Sequence, residues 1–157
     1  MFLLFAAAMH AADFVVEDEL LAAAPREVSG AIAAAKPENA ISQRHGRRSQ
    51  FIGKAVDLQG AGSARDWVAT TSEGCNWAAS AAPIWVVRAM PEGYAVVLRH
   101  IAYDLTVGSK SRHGMRNLAT ARATAARREE QLWKFDGARY RLARSRVADY
   151  SAPEANQ

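Results

Sequence analysis

The fold is decided by residues 132–142, which read Leu-Trp-Lys-Phe-Asp-Gly-Ala-Arg-Tyr-Arg-Leu. Apolar and charged side chains alternate before the Asp-Gly dipeptide, where Trp133 and Phe135 flank a lysine, and they alternate again from Tyr140 onward. Strict alternation is typical of a strand with one buried face. Asp-Gly between two such runs indicates a hairpin, because Gly137 accepts the positive φ that a tight turn needs. The stretch therefore predicts two antiparallel strands joined by a tight turn.

The same kind of pattern begins at Phe51. Short apolar runs broken by glycine and proline predict further strands at residues 51–56, 66–71, 84–87, 94–98 and 101–107. Residues 90–93 fit the loop of a hairpin. A chain of 157 residues is long enough for one core without disulfides. We therefore expect a mainly β fold, with a single antiparallel meander domain at residues 51–147 and the core in this part of the chain.

The two hairpins of this domain resemble each other. Each half carries a short strand, then a tryptophan, then a tyrosine: residues 66–68, Trp85 and Tyr94 in the first half, and residues 117–119, Trp133 and Tyr140 in the second. Two copies of one antiparallel unit would supply facing apolar surfaces that neither copy buries alone. The sequence therefore predicts two repeat-like units.

Residues 56–68, Val-Asp-Leu-Gln-Gly-Ala-Gly-Ser-Ala-Arg-Asp-Trp-Val, resemble the Asp-Leu-Asn-Gly-Asp-Gly loop and following strand of FG-GAP/VCBS-type repeats. The later aromatic hairpin is similar to the closing strand pair of small exported proteobacterial proteins with such degenerate repeats. Gln59 and Ala61 replace two oxygen ligands of the pattern, which leaves Asp57 and Asp66. Calcium takes six to eight oxygen ligands. We therefore expect no calcium or other metal site and no cofactor.

The flanking segments have their own signals. Residues 1–12 hold a short apolar run that ends in small residues, the shape of a secretory signal segment, and the run is too short to span a membrane. Residues 13–50 predict a short amphipathic helix from Arg26 to Ala35, opened by Pro25, followed by a polar connector. Residues 148–157 are expected to be a flexible tail. No integral membrane span is predicted.

Residues 119–131 carry conflicting signals. They are rich in Ala, Arg, Glu and Gln, which favour helix. Their apolar stripe is thin, however, and the repeat argument favours a strand, a long exposed turn and a second strand. We adopt the strand prediction, with helix as the alternative.

Catalytic patterns are missing from the sequence. No serine lies in a Gly-x-Ser-x-Gly elbow, the four histidines lack metal-ligand spacing, and no glycine-rich phosphate loop is present. Cys75 stands alone, which excludes an internal disulfide. We therefore predict no catalytic, cofactor-binding or metal-binding residues.

The leading functional prediction is a non-catalytic exported binding protein, periplasmic or secreted, whose partner is another protein of the cell envelope. In its sharpest form it is an inhibitor or immunity-type protein that plugs the cleft of an envelope enzyme with a loop, such as residues 72–80 or 109–116. The predicted contact residues are Trp77, Arg112 and His113, because aromatic and basic residues in loops are typical of contacts.

The alternative is a cytoplasmic protein with a basic nucleic-acid-binding face. Residues 99–146 contain twelve Lys and Arg against four Asp and Glu, although the whole chain has a net charge of +4. Nucleic-acid binding requires such a basic surface, but solvated strand faces produce the same count more often. We therefore expect a protein partner rather than nucleic acid.

Overall fold

The structure is a computed structural model that describes residues 12–35, 50–72 and 81–149. These residues form ten strands and one helix. Their bounds are β1 (Phe14–Val15), β2 (Ala22–Ala23), α1 (Arg26–Ala34), β3 (Phe51–Val56), β4 (Asp66–Thr71), β5 (Ala82–Met90), β6 (Gly93–Ala102), β7 (Asp104–Arg112), β8 (Met115–Ala123), β9 (Arg127–Phe135) and β10 (Tyr140–Asp149). No helix among these residues is long and apolar enough to cross a membrane.

The strands form two antiparallel sheets of five. Sheet 1 has the order β2-β3-β4-β5-β6, and sheet 2 has the order β1-β7-β8-β9-β10. The single residue Tyr103 carries the chain from the last strand of sheet 1 into sheet 2. Strands β2 to β6 pair consecutively in sheet 1, and β7 to β10 pair consecutively in sheet 2, as in a meander, while β1 pairs with β7. The prediction of a mainly β, antiparallel meander fold with one short helix is confirmed.

The two halves of the chain have the same strand order. Strands β3 to β6 follow one another in sheet 1, and β7 to β10 follow one another in sheet 2. Trp85 lies on β5 and Trp133 on β9, the third strand of each unit, while Tyr94 and Tyr140 lie at the beginning of the fourth. The aromatic residues that the sequence pairs therefore occupy equivalent strands of two four-stranded units.

The main core lies between the sheets, where apolar side chains of both inner faces pack together, including Leu58, Val68, Ile84, Val86, Leu105, Met115, Leu118 and Phe135. Phe14 and Val16 also belong to this core. The prediction that the core lies after residue 50 was therefore incomplete. Strand β1 has two residues, too few for alternation to show, and its partner in sheet 2 is distant in the chain.

Helix α1 covers the outer face of sheet 1. Val28 and Ile32 are fully buried against Phe51, Trp85 and their neighbours. The spacing of these two residues by four positions places them on one side of the helix. The helix begins after Pro25, as predicted, and ends at Ala34, one residue earlier than predicted. Sheet 1 is thus packed on both faces, by sheet 2 and by the helix.

Residues 119–131 form strands rather than helix. Strand β8 ends at Ala123, β9 begins at Arg127, and the Thr124 Oγ1 accepts hydrogen bonds from the backbone N–H of Ala126 and Arg127. The strand prediction is confirmed, but the turn is short where a long one was expected. Pairing on both sides of β8 supplies backbone hydrogen bonds that outweigh the helix propensity of these residues.

The turn between β9 and β10 is longer than the sequence predicts. Its closing pair is Phe135 and Tyr140, whose rings lie 5.3 Å apart, so four residues connect the strands instead of the Asp-Gly pair alone. Gly137 has a φ of 103°, the positive value expected. Asp136 holds the turn by accepting hydrogen bonds from the N–H of Ala138 and Arg139. Strand β10 runs on to Asp149, two residues into the predicted tail.

Candidate functional site: the open edge of β10

Strand β10 is the last strand of sheet 2 and pairs with β9 on one side. Among the described residues, no strand pairs with its other side. Every residue from Arg141 to Asp149 is exposed, so this part of the strand has solvent on both faces as well as along its free edge. We call this free side, residues 141–149, the β10 edge. An ordered strand of this length with an unpaired edge is a template for pairing with another chain.

The two faces of the β10 edge differ in chemistry. The register with β9 places Leu142 opposite Trp133 and Val147 opposite Glu129, so both apolar residues share one face. Leu142 is 49% and Val147 53% exposed. Three arginines, Arg141, Arg144 and Arg146, lie on the opposite face. A β-bulge between Leu142 and Arg144 preserves this division, because it shifts the register by one residue.

A groove of about 560 Å³ lies where β6 approaches the first residues of β10. It is lined by Ala35, Val96, Val97, Leu98, Arg99, Trp133, Ala138, Arg139, Tyr140 and Arg141. The charged residues of this lining are all arginines. The groove therefore joins an apolar and aromatic floor to a cationic rim, and it is continuous with the β10 edge at Arg141.

His100 packs against the tryptophan of this groove. Its ring lies 4.8 Å from that of Trp133, and the Trp133 Nε1 donates a hydrogen bond of 2.9 Å to the Thr120 Oγ1. Burial lowers the pKa of His100 below its usual 6.5, and the nearby Arg122 lowers it further, although Gln131 and Glu129 favour the charged form. Trp133 is thereby contacted by both His100 and Thr120.

The burial of the His100 side chain should make the free energy of unfolding depend on pH. The pKa of His100 is lower in the folded chain than in the unfolded chain, so the unfolded state binds more protons below about pH 6.5, and stability falls as pH decreases through that range. We expect His100→Gln to lose less unfolding free energy than the wild type between about pH 7.5 and pH 5 in urea titrations. His113→Gln, at an exposed turn, is the control. Parallel pH profiles for wild type and His100→Gln would contradict the assignment.

A buried carboxylate, that of Asp66, holds the β3–β4 loop. Asp66 is 1% exposed. Its Oδ2 accepts a hydrogen bond from the backbone N–H of Leu58, and its Oδ1 accepts bonds from the N–H of Ala89 and the Gln59 side chain. Asp66 thus ties the β3–β4 loop to the end of β5. A cavity of about 410 Å³ adjoins it. Because its oxygens already serve these donors, we assign Asp66 a structural role.

Asp57, the other acidic residue of the loop, accepts hydrogen bonds from the backbone N–H of Ala61 and Gly62. Both of its oxygens therefore stabilise the loop. Within residues 12–35, 50–72 and 81–149, no group of three or more His, Cys, Asp and Glu side chains is placed to hold a metal ion. The absence of a calcium site stays a prediction, which calorimetric titration with calcium would check.

The predicted contact residues do not converge on the β10 edge. Trp77 and most of the predicted 72–80 loop lie outside the described residues. Arg112 ends β7, and His113 lies in the turn to β8 with a φ of 49°; strand β9 and strand β8 lie between β7 and β10 in sheet 2. The prediction that residues 109–116 form a loop was wrong, because strand pairing continues to Arg112 and resumes at Met115. What remains is a tight turn at the tip of a hairpin.

Sequence reasoning located the strand of the candidate site but missed its edge. The alternation after Tyr140 was read as a buried strand with a solvated face. No sequence signal was available, because Leu142 and Val147 are five positions apart and share a face only through the bulge at Ala143.

Comparisons of the chain with protein-family models, with curated proteins and with solved structures find no match. The resemblance to FG-GAP/VCBS-type repeats therefore stays a prediction. The candidate site rests on the geometry of the β10 edge and of the groove beside it.

Proposed function

We propose that this chain is a non-catalytic binding protein that takes up an extended segment of another protein by strand addition along the β10 edge. The observation that carries the proposal is the ordered strand from Arg141 to Asp149, exposed throughout and unpaired on one side among the described residues. Strand addition draws its affinity from main-chain hydrogen bonds and its specificity from alternate side chains.

The groove beside the edge supports this proposal. A strand added to β10 would extend sheet 2, and one of its ends would lie near the groove, at Arg141 and the β9–β10 turn. Aromatic and arginine side chains are the residues most often found to dominate binding energy. The edge would supply the alignment of a partner, and the groove would supply an anchor.

Ion pairs within the chain favour a protein partner over nucleic acid. Arg122, Arg127, Arg128 and Arg141 each form an ion pair with a carboxylate of this chain. Affinity for nucleic acid depends on the number of phosphates that free cations neutralise. Internal pairing reduces that number, so the count of basic residues overstates the cationic surface.

Export remains part of the proposal. We propose a periplasmic or secreted protein whose partner belongs to the cell envelope, with an inhibitor or immunity-type protein of an envelope enzyme as its sharpest form. Sequencing the N-terminus of the protein recovered from the cell tests this part: a chain that begins near Asp13 supports export, and an intact Met1 contradicts it.

Strand addition is tested with a random library of peptides of about ten residues, the length of β10, selected against the full chain. The selected peptides are then mapped by the backbone amide shifts of the protein. We expect the largest shifts in residues 141–149 and small shifts in the central strand β4. Selected peptides that shift other elements instead, or a library that yields no binder, would contradict the proposal.

A further inference from the structure

We infer that the segment taken up along the β10 edge is an amphipathic acidic strand, in which acidic and apolar residues alternate. The inference rests on the proposed function and adds the chemistry of the partner. It follows from the difference between the two faces of β10, because a strand added in register presents its side chains alternately to the same two faces.

The basic face selects acidic residues. Arg144 and Arg146 form no ion pair within the described part of the chain, whereas Arg141 shares its charge with Asp136. Glu130 lies opposite Arg146, but Arg128 already binds its carboxylate at 2.9 Å. Two arginines on one face of an open edge, neither with an ion-pair partner among the described residues, therefore offer cross-strand partners for carboxylates.

The other face selects apolar residues. Leu142 and Val147 are half exposed on this face, and Trp133 lies beside Leu142. An added strand with apolar residues at every second position would cover both of them and bury their remaining surface. A uniformly acidic segment would leave this face uncovered, so alternation is the pattern that satisfies both faces.

A second copy of this chain fits less well. Antiparallel pairing of two β10 edges about their middle places Arg144 of one chain opposite Arg146 of the other. Like charges that face each other across strands are destabilising. Arginines on an open edge are also a common protection against self-association. An acidic strand would instead place carboxylates opposite Arg144 and Arg146, and these pairs attract. The charge of the β10 edge therefore favours an acidic strand over a second copy.

The test measures the affinity of the full chain for three peptides as long as β10, in which valine alternates with glutamate, threonine or lysine. We expect the glutamate peptide to bind roughly tenfold more tightly than the threonine peptide, and the lysine peptide to bind weakest. Added salt should weaken the glutamate peptide. The double variant Arg144→Glu with Arg146→Glu should reverse the order of the glutamate and lysine peptides.

The matched control reverses two exposed cations elsewhere in sheet 2, Lys110→Glu with Arg112→Glu, and should keep the wild-type order. Equal affinity for all three peptides, with amide shifts still in β10, would overturn the acidic partner and leave strand addition standing. If no peptide shifts β10, both proposals fail. A single-stranded oligonucleotide that binds the arginine face more tightly than the glutamate peptide would overturn the inference in favour of nucleic acid. A concentration-dependent dimer that forms through β10 would overturn it in favour of a second copy.

Discussion

Replacing Gly53 with alanine should lower the free energy of unfolding by about 3 kcal/mol, the upper end of the cost of overpacking. A Cβ at this position would lie 2.0 Å from the backbone oxygen of Val68 and 2.9 Å from the Cα of Ala69. Both atoms belong to the backbone of β4, so no side-chain rotation relieves the clash. Strand β3 cannot move away freely, because Gly53 pairs with Ala22 of β2 on its other side.

Urea denaturation of Gly53→Ala against the wild type measures this loss. Gly30→Ala is the matched control, because a Cβ at this exposed helical position meets nothing within 4 Å. Alanine in place of a glycine inside a helix stabilises by about 0.5–1 kcal/mol. The two identical substitutions should therefore act in opposite directions. An unchanged midpoint for Gly53→Ala would show that β3 and β4 are not packed as described.

Replacing Asp66 with alanine should cost about 3 kcal/mol or more. Two backbone donors, the N–H of Leu58 and Ala89, would lose their acceptor at buried or partly buried positions, and the exposed Gln59 side chain would lose one of its two acceptors. Each buried donor left unsatisfied costs about 1–3 kcal/mol. Asp66→Asn keeps the shape but replaces one acceptor oxygen with a donor, so it should lose a large part of the same stability.

Asp57→Asn provides the comparison for Asp66. Asp57 also accepts two backbone hydrogen bonds, but it lies in an exposed loop where water can replace a lost bond. We expect its loss of stability to be much smaller in the same urea titration. Equal effects for the two positions would mean that burial does not determine the strength of the Asp66 interactions.

The β9–β10 hairpin and helix α1 could be predicted because their signals are local. Gly137 lies in a turn that its own neighbours define, and Val28 and Ile32 show the helical period within two turns. The pairing of β1 with β7 could not be predicted in this way. It brings Phe14 opposite Leu105, and no local pattern in a two-residue strand specifies a partner so distant in the chain.

The candidate site was harder to predict for a related reason. The alternation of Arg144 and Arg146 with smaller residues is the same for a strand inside a sheet and for a strand at its edge. Whether β10 has one neighbour or two depends on the order of the whole sheet, which is a property of the fold. The sequence likewise indicates Asp66 only as a remnant of a calcium loop. Its structural role could not be predicted, because its hydrogen bond to Ala89 joins segments far apart in the sequence.

The central claim is that the β10 edge receives a strand, and amide hydrogen exchange of the full chain tests it most directly. In the presence of saturating alternating glutamate-valine peptide, every second amide in residues 141–149 should exchange more slowly, because an added antiparallel strand bonds alternate residues of its neighbour. Amides of β4 should keep their rates. A bound peptide that leaves exchange in residues 141–149 unchanged would contradict the claim.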